Sequence, residues 1–170
     1  MLLFHGSNKE VVKPDLSMSR KYLDFGIGFY LTSNKEQAVI FSQKVVLREK
    51  RNKRPSGVAT VNVYSFELEQ GKNELKILNF NNPCDEWLDY VIMNRVEPDE
   101  TDKTDIVIGP VANDDVYAVI DFYEKGALSR KEAIDALKVR KLFDQYTFKT
   151  ENALKYLRFI SSQYTEEELK

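Results

Sequence analysis

Apolar positions recur along this chain in two rhythms. Leu2 to Phe4 is a short apolar run that reads as a buried strand turning at His5-Gly6. Val58 to Phe66 alternates Val, Tyr and Phe with polar residues, Leu75 to Phe80 follows suit, and both read as strands. Ile106 to Ile108 is a short, wholly apolar strand stopped by Gly109-Pro110. Gln145 to Phe148 and Phe159-Ile160 supply two more strands. Helical spacing appears between them. Ser33 and Glu36 form an S-x-x-E capping box before a helix that should bury Ala38, Phe41 and Val45. Asn82-Pro83 with Asp85 and Glu86 opens a helix carrying Trp87, Tyr90, Val91 and Met93. A third helix holds Val116, Ile120 and Tyr123 and stops at Gly126. Ser129 and Glu132 make a second capping box, and Thr150 to Leu157 is a last short helix.

The remaining stretches are loops. Ser7 to Asp24 is polar, interrupted by Pro14, and long enough to suggest a functional segment. Phe25 to Leu31 is punctuated by Gly26 and Gly28 and leads into a strand at Phe29, Tyr30 and Leu31. Strands and helices alternate irregularly, without evident parallel crossover units, so the pattern predicts an α+β fold in a single domain over residues 1–170.

Composition narrows the class. The chain has 170 residues, 42% hydrophobic and 31% charged, which fits one globular domain with a real core. The net charge of -2 gives no overall attraction to polyanions. The basic run Arg48 to Arg54 reads as a solvated helix end and loop, with a local nucleic-acid contact as the sharper alternative. Cys84 stands alone, so no internal disulfide forms. Beside Pro83 at a helix start it reads as structural, the other role open to it being a nucleophile with the one histidine as base. One His and one Cys argue against a zinc site, and no D-x-D-x-D-G loop is present, so no metal is expected. No apolar run spans a bilayer and no leader pattern opens the chain, so a cytoplasmic protein without a membrane partner is expected.

Three short segments carry the candidate chemistry: His5-Gly6-Ser7 after the first strand, Gly26-Ile27-Gly28-Phe29-Tyr30-Leu31-Thr32 before the helix holding Phe41, and Asp144-Gln145-Tyr146 opening a late strand. Each alone is ordinary. A histidine after an apolar run usually has a packing role, and G-x-G before a strand is a common turn device. In this order and spacing they resemble the ADP-ribosyltransferase superfamily, in the branch marked by His, Tyr and Glu on three strands, the diphtheria-toxin and poly(ADP-ribose) polymerase group. More narrowly, the chain resembles a bacterial family of uncharacterised proteins related to these transferases, through Asp24 to Tyr30 (D-F-G-x-G-F-Y), Trp87 to Arg95 (W-L-D-x-V-x-x-N-R) and Ile106 to Asp114 (I-V-I-G-P-V-A-N-D).

The resemblance implies an ADP-ribosyltransferase-like split core, with mixed and antiparallel sheets flanked by helices. It also implies a reaction: cleavage of the nicotinamide–ribose bond of NAD through an oxocarbenium-like transition state. NAD would be a substrate rather than a resident cofactor. By that pattern His5, Tyr30 and Gln145 are catalytic. His5 meets the adenosine ribose, the Gly6 backbone holds the nicotinamide amide, and Ser7 bonds a ribose hydroxyl. Gly28 lets the backbone approach the ligand. Tyr30 and Phe41 sandwich the nicotinamide, at roughly 0.5–1.5 kcal/mol per aromatic contact. Arg20 faces the pyrophosphate or is a plain surface arginine. Asn113-Asp114-Asp115 lines the site or simply caps the helix behind it.

Gln145 departs from the pattern, because the family has Glu there. The amide keeps an acceptor oxygen and loses the charge, at about 2–4 kcal/mol, or about a hundredfold in rate or more. Poly(ADP-ribose) elongation is thereby disfavoured. Slower single transfer to a protein or nucleic acid stays open, with a toxin–antitoxin or phage-defence role and a small antitoxin partner as the biological reading. An NAD or ADP-ribose binding module without turnover, and an NAD glycohydrolase, are the alternatives.

Overall fold

The structure is a computed structural model that describes residues 1–71, 73–99, 101–110, 114–138 and 142–165. In chain order its elements are β1 (Leu2–Ser7), a 3-10 turn (Leu16–Met18), β2 (Phe29–Leu31), α1 (Lys35–Arg51), β3 (Thr60–Phe66), α2 (Leu68–Gly71), β4 (Ile77–Asn79), α3 (Asp85–Val96), β5 (Ile106–Pro110), α4 (Asp114–Glu124), α5 (Arg130–Lys138), β6 (Asp144–Phe148), α6 (Glu151–Leu154) and β7 (Leu157–Tyr164). The α+β reading therefore holds. The strands form a three-stranded antiparallel sheet in the order β1-β3-β7 and a four-stranded mixed sheet in the order β2-β6-β5-β4. One expectation needs correction. β4 and β5 pair in parallel with α3 between them, so the chain does contain one parallel crossover. Three-residue β4 is too short to display that relation as a sequence pattern.

Two apolar layers hold the sheets. Leu3, Phe29, Leu31, Tyr64, Phe66, Ile106 and Phe148 join residues of both sheets in one core. Phe25, Trp87, Leu88, Val91, Val107, Val116, Ile120 and Leu137 pack the other face of the mixed sheet against α3, α4 and α5. On the far side of β1, α1 covers the antiparallel sheet. Strand alternation puts Leu3 and His5 on the inner face and Phe4 and Gly6 on the face toward α1. Central β3 is buried on both sides, which explains its nearly continuous burial.

Helix α1 lies one residue away in rotation from the expected stripe. Ala38, Ser42 and Val46 are buried, whereas Phe41 is 51% exposed. The cause is close approach. A Cβ on Gly6 would stand 2.3 Å from the Ala38 carbonyl oxygen and 2.9 Å from the Ser42 nitrogen, so small residues face a bare backbone. The cap also moved: Asn34 accepts from the Gln37 N–H, and Ser33 is engaged elsewhere. At α3 the N-cap is Cys84, which makes no side-chain capping bond. Burial pushes its thiol up in pKa, as suits a structural rather than a nucleophilic cysteine. The Ser129–Glu132 box forms as expected: Glu132 Oε2 accepts from the Ser129 amide and hydroxyl, and the Glu132 N–H donates to Ser129 Oγ at 3.3 Å. No described helix is long and apolar enough to cross a membrane.

The Gly6 contact yields a test. Gly6→Ala forces backbone against backbone and should cost about 1–3 kcal/mol, the range for overpacking a close contact. Urea unfolding should show a lower midpoint at an unchanged slope, and an unchanged midpoint would mean that α1 does not sit on Gly6.

Candidate functional site

The two sheets meet at β1 and β2. Phe4 and Thr32 form an antiparallel bridge, with Phe4 N–H donating to Thr32 O at 2.8 Å and Thr32 N–H to Phe4 O at 3.0 Å. β2 in turn pairs with β6, with Tyr30 opposite Thr147 and Leu31 opposite Tyr146. The strands carrying His5, Tyr30 and Gln145 are therefore consecutive neighbours in space. β1 extends through His5, Gly6 and Ser7 instead of turning at His5, because these residues pair with Asn62, Val61 and Thr60 of β3.

His5 lies against the junction. Its Nδ1 is 2.7 Å from the Tyr30 carbonyl oxygen. A carbonyl can only accept, so Nδ1 carries the proton. Burial drives the imidazole pKa down to about 4, the bond to the Tyr30 carbonyl opposing that shift only in part. At neutral pH the ring is uncharged, and its Nε2 is an acceptor only. The ring rests on Phe29, with centroids 4.3 Å apart and planes inclined at 33°, and Phe29 meets Tyr64 edge-on. Phe29 is thus the aromatic partner of His5, a role the sequence reading gave to none of its neighbours. Opposite His5, fully buried Asn62 accepts from the Val11 N–H at 2.8 Å and donates to the Lys9 carbonyl, fixing the chain just after Ser7. A polar residue interrupting the apolar run of β3 was the signal for it.

Tyr30 takes part through its backbone as much as its ring. Its hydroxyl donates to the Gly26 carbonyl at 2.5 Å and accepts from the Phe25 N–H at 3.2 Å. Its pKa lies well above the usual value because the ring is buried and the Asp24 carboxylate is near. The ring packs against the helical layer, the opposite side of the sheet from Phe29. Gln145 shares the Tyr30 face: it lies two residues before Thr147, the partner of Tyr30. Its side chain is buried, and Nε2 has no hydrogen-bond partner among the described residues. Gly109 pairs with it from β5.

The other expected residues have plain positions. Ser7 ends β1 and is buried, whereas Arg20 is exposed in the loop after the 3-10 turn. The Gly28 N–H donates to Ser19 Oγ at 3.0 Å, and a Cβ there would come within 2.5 Å of the Thr147 side chain. Gly28 is needed first for contact with β6. Phe41 is solvent-facing on α1, and among the described residues no ring contact joins it to Tyr30. Asn113 and the side chains of Asp114 and Asp115 lie outside the described residues.

Asp144 was quoted in the motif but given no task, and it ties the site together. Asp144 Oδ1 accepts from the Ser33 amide at 2.8 Å, and Oδ2 accepts from the Ser33 hydroxyl at 2.5 Å. The Thr32 hydroxyl shares its proton between Gln37 Oε1 at 2.7 Å and Asp144 Oδ1 at 3.0 Å. The start of β6 is thereby pinned to the end of β2 and the start of α1. A carboxylate receiving several donors makes charge-assisted bonds, roughly twice as strong as neutral ones.

Concave surfaces occur near Lys76, Leu78, Tyr90, Met93 and Asp102, and near Ile92, Val96 and Pro98, and the eight expected site residues line neither. Among the described residues no group of three His, Cys, Asp or Glu side chains could hold a metal ion. The sequence model of a family described as "Protein of unknown function (DUF3990)" matches residues 1–159. No curated protein and no solved structure matches the chain.

His5 is the chain's single histidine, so its titration can be read without assignment. Nitrogen-edited NMR should show a neutral Nδ1–H tautomer at pH 7 and a midpoint near 4. Between about pH 6.5 and 4 the unfolded chain binds the proton and the native state does not, so stability falls as pH drops through that window, by on the order of 3 kcal/mol in total. His5→Gln should flatten this dependence. A midpoint near 6.5 would show that the ring is solvated.

Proposed function

The chain belongs to the DUF3990 family, whose matched region runs from residue 1 to residue 159, and on its motifs and their strand arrangement we propose that it is a NAD-dependent mono-ADP-ribosyltransferase with an ADP-ribosyltransferase-like split core. Its acceptor would be a macromolecule, protein or nucleic acid. The observation that carries the proposal is the junction itself. Three motifs spread over 140 residues of sequence sit on three strands that adjoin as β1–β2–β6, with His5 bonded across to the Tyr30 backbone.

Breaking the bond between nicotinamide nitrogen and ribose C1′ sends the electron pair out with nicotinamide and leaves positive charge on the ribose. The acceptor nucleophile then forms the new bond at C1′ and gives up its proton. The low pKa of His5 keeps the ring neutral and leaves Nε2 to accept from a sugar hydroxyl. Gly6, Ser7, Gly28, Phe41 and Arg20 are the proposed NAD-binding residues. In this reading exposed Phe41 is the second aromatic of the nicotinamide site, which gives a reason for leaving it in solvent. A toxin paired with a small antitoxin, working in the cytoplasm, is the biological role that this reading favours.

A second reading is favoured by one observation. The buried Gln145 Nε2 is a donor with no partner among the described residues, and leaving such a group unsatisfied costs about 1–3 kcal/mol. A ligand oxygen that satisfies it would stabilise a bound state without adding charge for turnover. That describes an NAD or ADP-ribose binding module.

Radiolabelled NAD incubated with the protein and candidate proteins, tRNA or DNA should give nicotinamide release and label on one acceptor class. Gln145→Glu should raise release about a hundredfold, the scale of one restored electrostatic group. NAD binding by calorimetry with no release, even from Gln145→Glu, would select the binding module. Release of free ADP-ribose alone would indicate a glycohydrolase. If neither form binds NAD, the proposal fails.

A further inference from the structure

The start of the Asp24 to Tyr30 motif and the end of the Trp87 to Arg95 motif are not used by the proposed chemistry, yet the structure joins them. Arg95 donates from Nε and Nη2 to Asp24 Oδ1, at 2.9 and 2.6 Å. Both side chains are nearly buried, at 14% and 8% exposure. Tyr117 of α4 closes the pair from outside: the Arg95 guanidinium carbon stands 3.8 Å from its ring centroid, and its hydroxyl reaches Asp24 Oδ1 at 3.4 Å. One residue before Arg95, Asn94 lies under Gly26. A Cβ there would come within 2.5 Å of Asn94 Oδ1, and Gly26 has a φ of +75°, which only glycine adopts without strain. Asn94 is itself fixed by donating to the Tyr90 carbonyl at 2.8 Å.

The consequences run along the loop. Asp24 directly precedes Phe25 and Gly26, whose amide and carbonyl hold the Tyr30 hydroxyl at 3.2 and 2.5 Å. Removing one partner of a buried ion pair leaves an uncompensated charge, which is strongly unfavourable. Here that charge would stand close to the Tyr30 hydroxyl, since the Asp24 carboxylate already contributes to its raised pKa. Lysine cannot replace the arginine. It lacks the planar fork that donates twice to one oxygen and the flat face that stacks on Tyr117.

We infer that the Asp24–Arg95–Tyr117 cluster is a positioning device that sets the glycine loop and, through it, the Tyr30 ring against which the ligand docks. Only the ligand step rests on the NAD reading. The positioning step stands on the protein alone.

The test uses the whole chain and two readouts. The first is amide hydrogen exchange without ligand. Arg95→Lys should speed exchange at Phe25, whose N–H is held by Tyr30, by about tenfold, while β3 and β5 keep their protection. Tyr117→Ala removes the stacked ring at a half-exposed position where folding is not at stake, and should shift Phe25 exchange in the same direction. Unchanged exchange at Phe25 in both variants would overturn the positioning role, whether or not the protein uses NAD. The second readout is the dissociation constant for NAD by calorimetry. A loop shifted by a fraction of an ångström should weaken it about tenfold in Arg95→Lys. A loosened loop with unaltered NAD affinity would overturn the ligand step. If the unmodified protein does not bind NAD, the NAD reading falls, and exchange at Phe25 still decides the positioning role.

Discussion

Everything at the candidate site depends on how two separate sheets are held edge to edge. Beside the apolar core that the two sheets share, the polar link between β1 and β2 among the described residues is an antiparallel bridge between Phe4 and Thr32 and a hydrogen bond from the His5 ring to the Tyr30 carbonyl. Both act on backbone groups, which are obligatory hydrogen-bonding partners when buried. The Phe29 ring under His5 shields the bond from water, and a shielded bond is stronger electrostatically. The same shielding denies the ring its proton, so the joint and the neutral state of the histidine have one cause. Asp144 adds a third tie by fastening β6 to the end of β2.

Close approach is the second constraint. Gly6 lets α1 sit directly on β1, Gly28 lets the loop lie on β6, and Gly109 admits the edge of the Phe25 ring, whose Cζ a Cβ there would meet at 3.0 Å. Gly6 and Gly28 belong to the motifs that suggested a nucleotide site, and in the structure each is first required by packing. The two roles are compatible, since a backbone bare enough to touch a helix is bare enough to touch a ligand. They also mean that glycine substitutions report on stability as well as on binding.

The site is electrostatically quiet. His5 is neutral, Gln145 carries no charge, the Asp144 carboxylate is taken up by donors from Thr32 and Ser33, and Asp24 and Arg95 compensate one another. For the proposed reaction a neutral glutamine removes the attraction that the resembling family places beside the developing cation, which bears directly on the rate, so such a site would favour binding over turnover.

Periodicity was enough to locate most elements, because apolar alternation and helical spacing are local and the core simply follows them. The second capping box, at Ser129 and Glu132, was legible for the same reason. The order of His5, Tyr30 and Gln145 along the chain pointed to one site. The adjacency of their strands came only from the sheet pairing, which long-range hydrogen bonds decide. The face of α1 was misread because Phe41 is the more hydrophobic residue, whereas the close contact with Gly6 admits only Ala38 and Ser42. Ser33 looked like a cap and instead serves Asp144, a residue 111 positions away. The sequence by itself determined which segments are strands, helices and glycine turns, together with the residue types available for chemistry. The tertiary structure alone decided the tautomer of His5, the isolation of the Gln145 amide and the pairing of Asp24 with Arg95, because each depends on groups that only folding brings within hydrogen-bonding distance or removes from water.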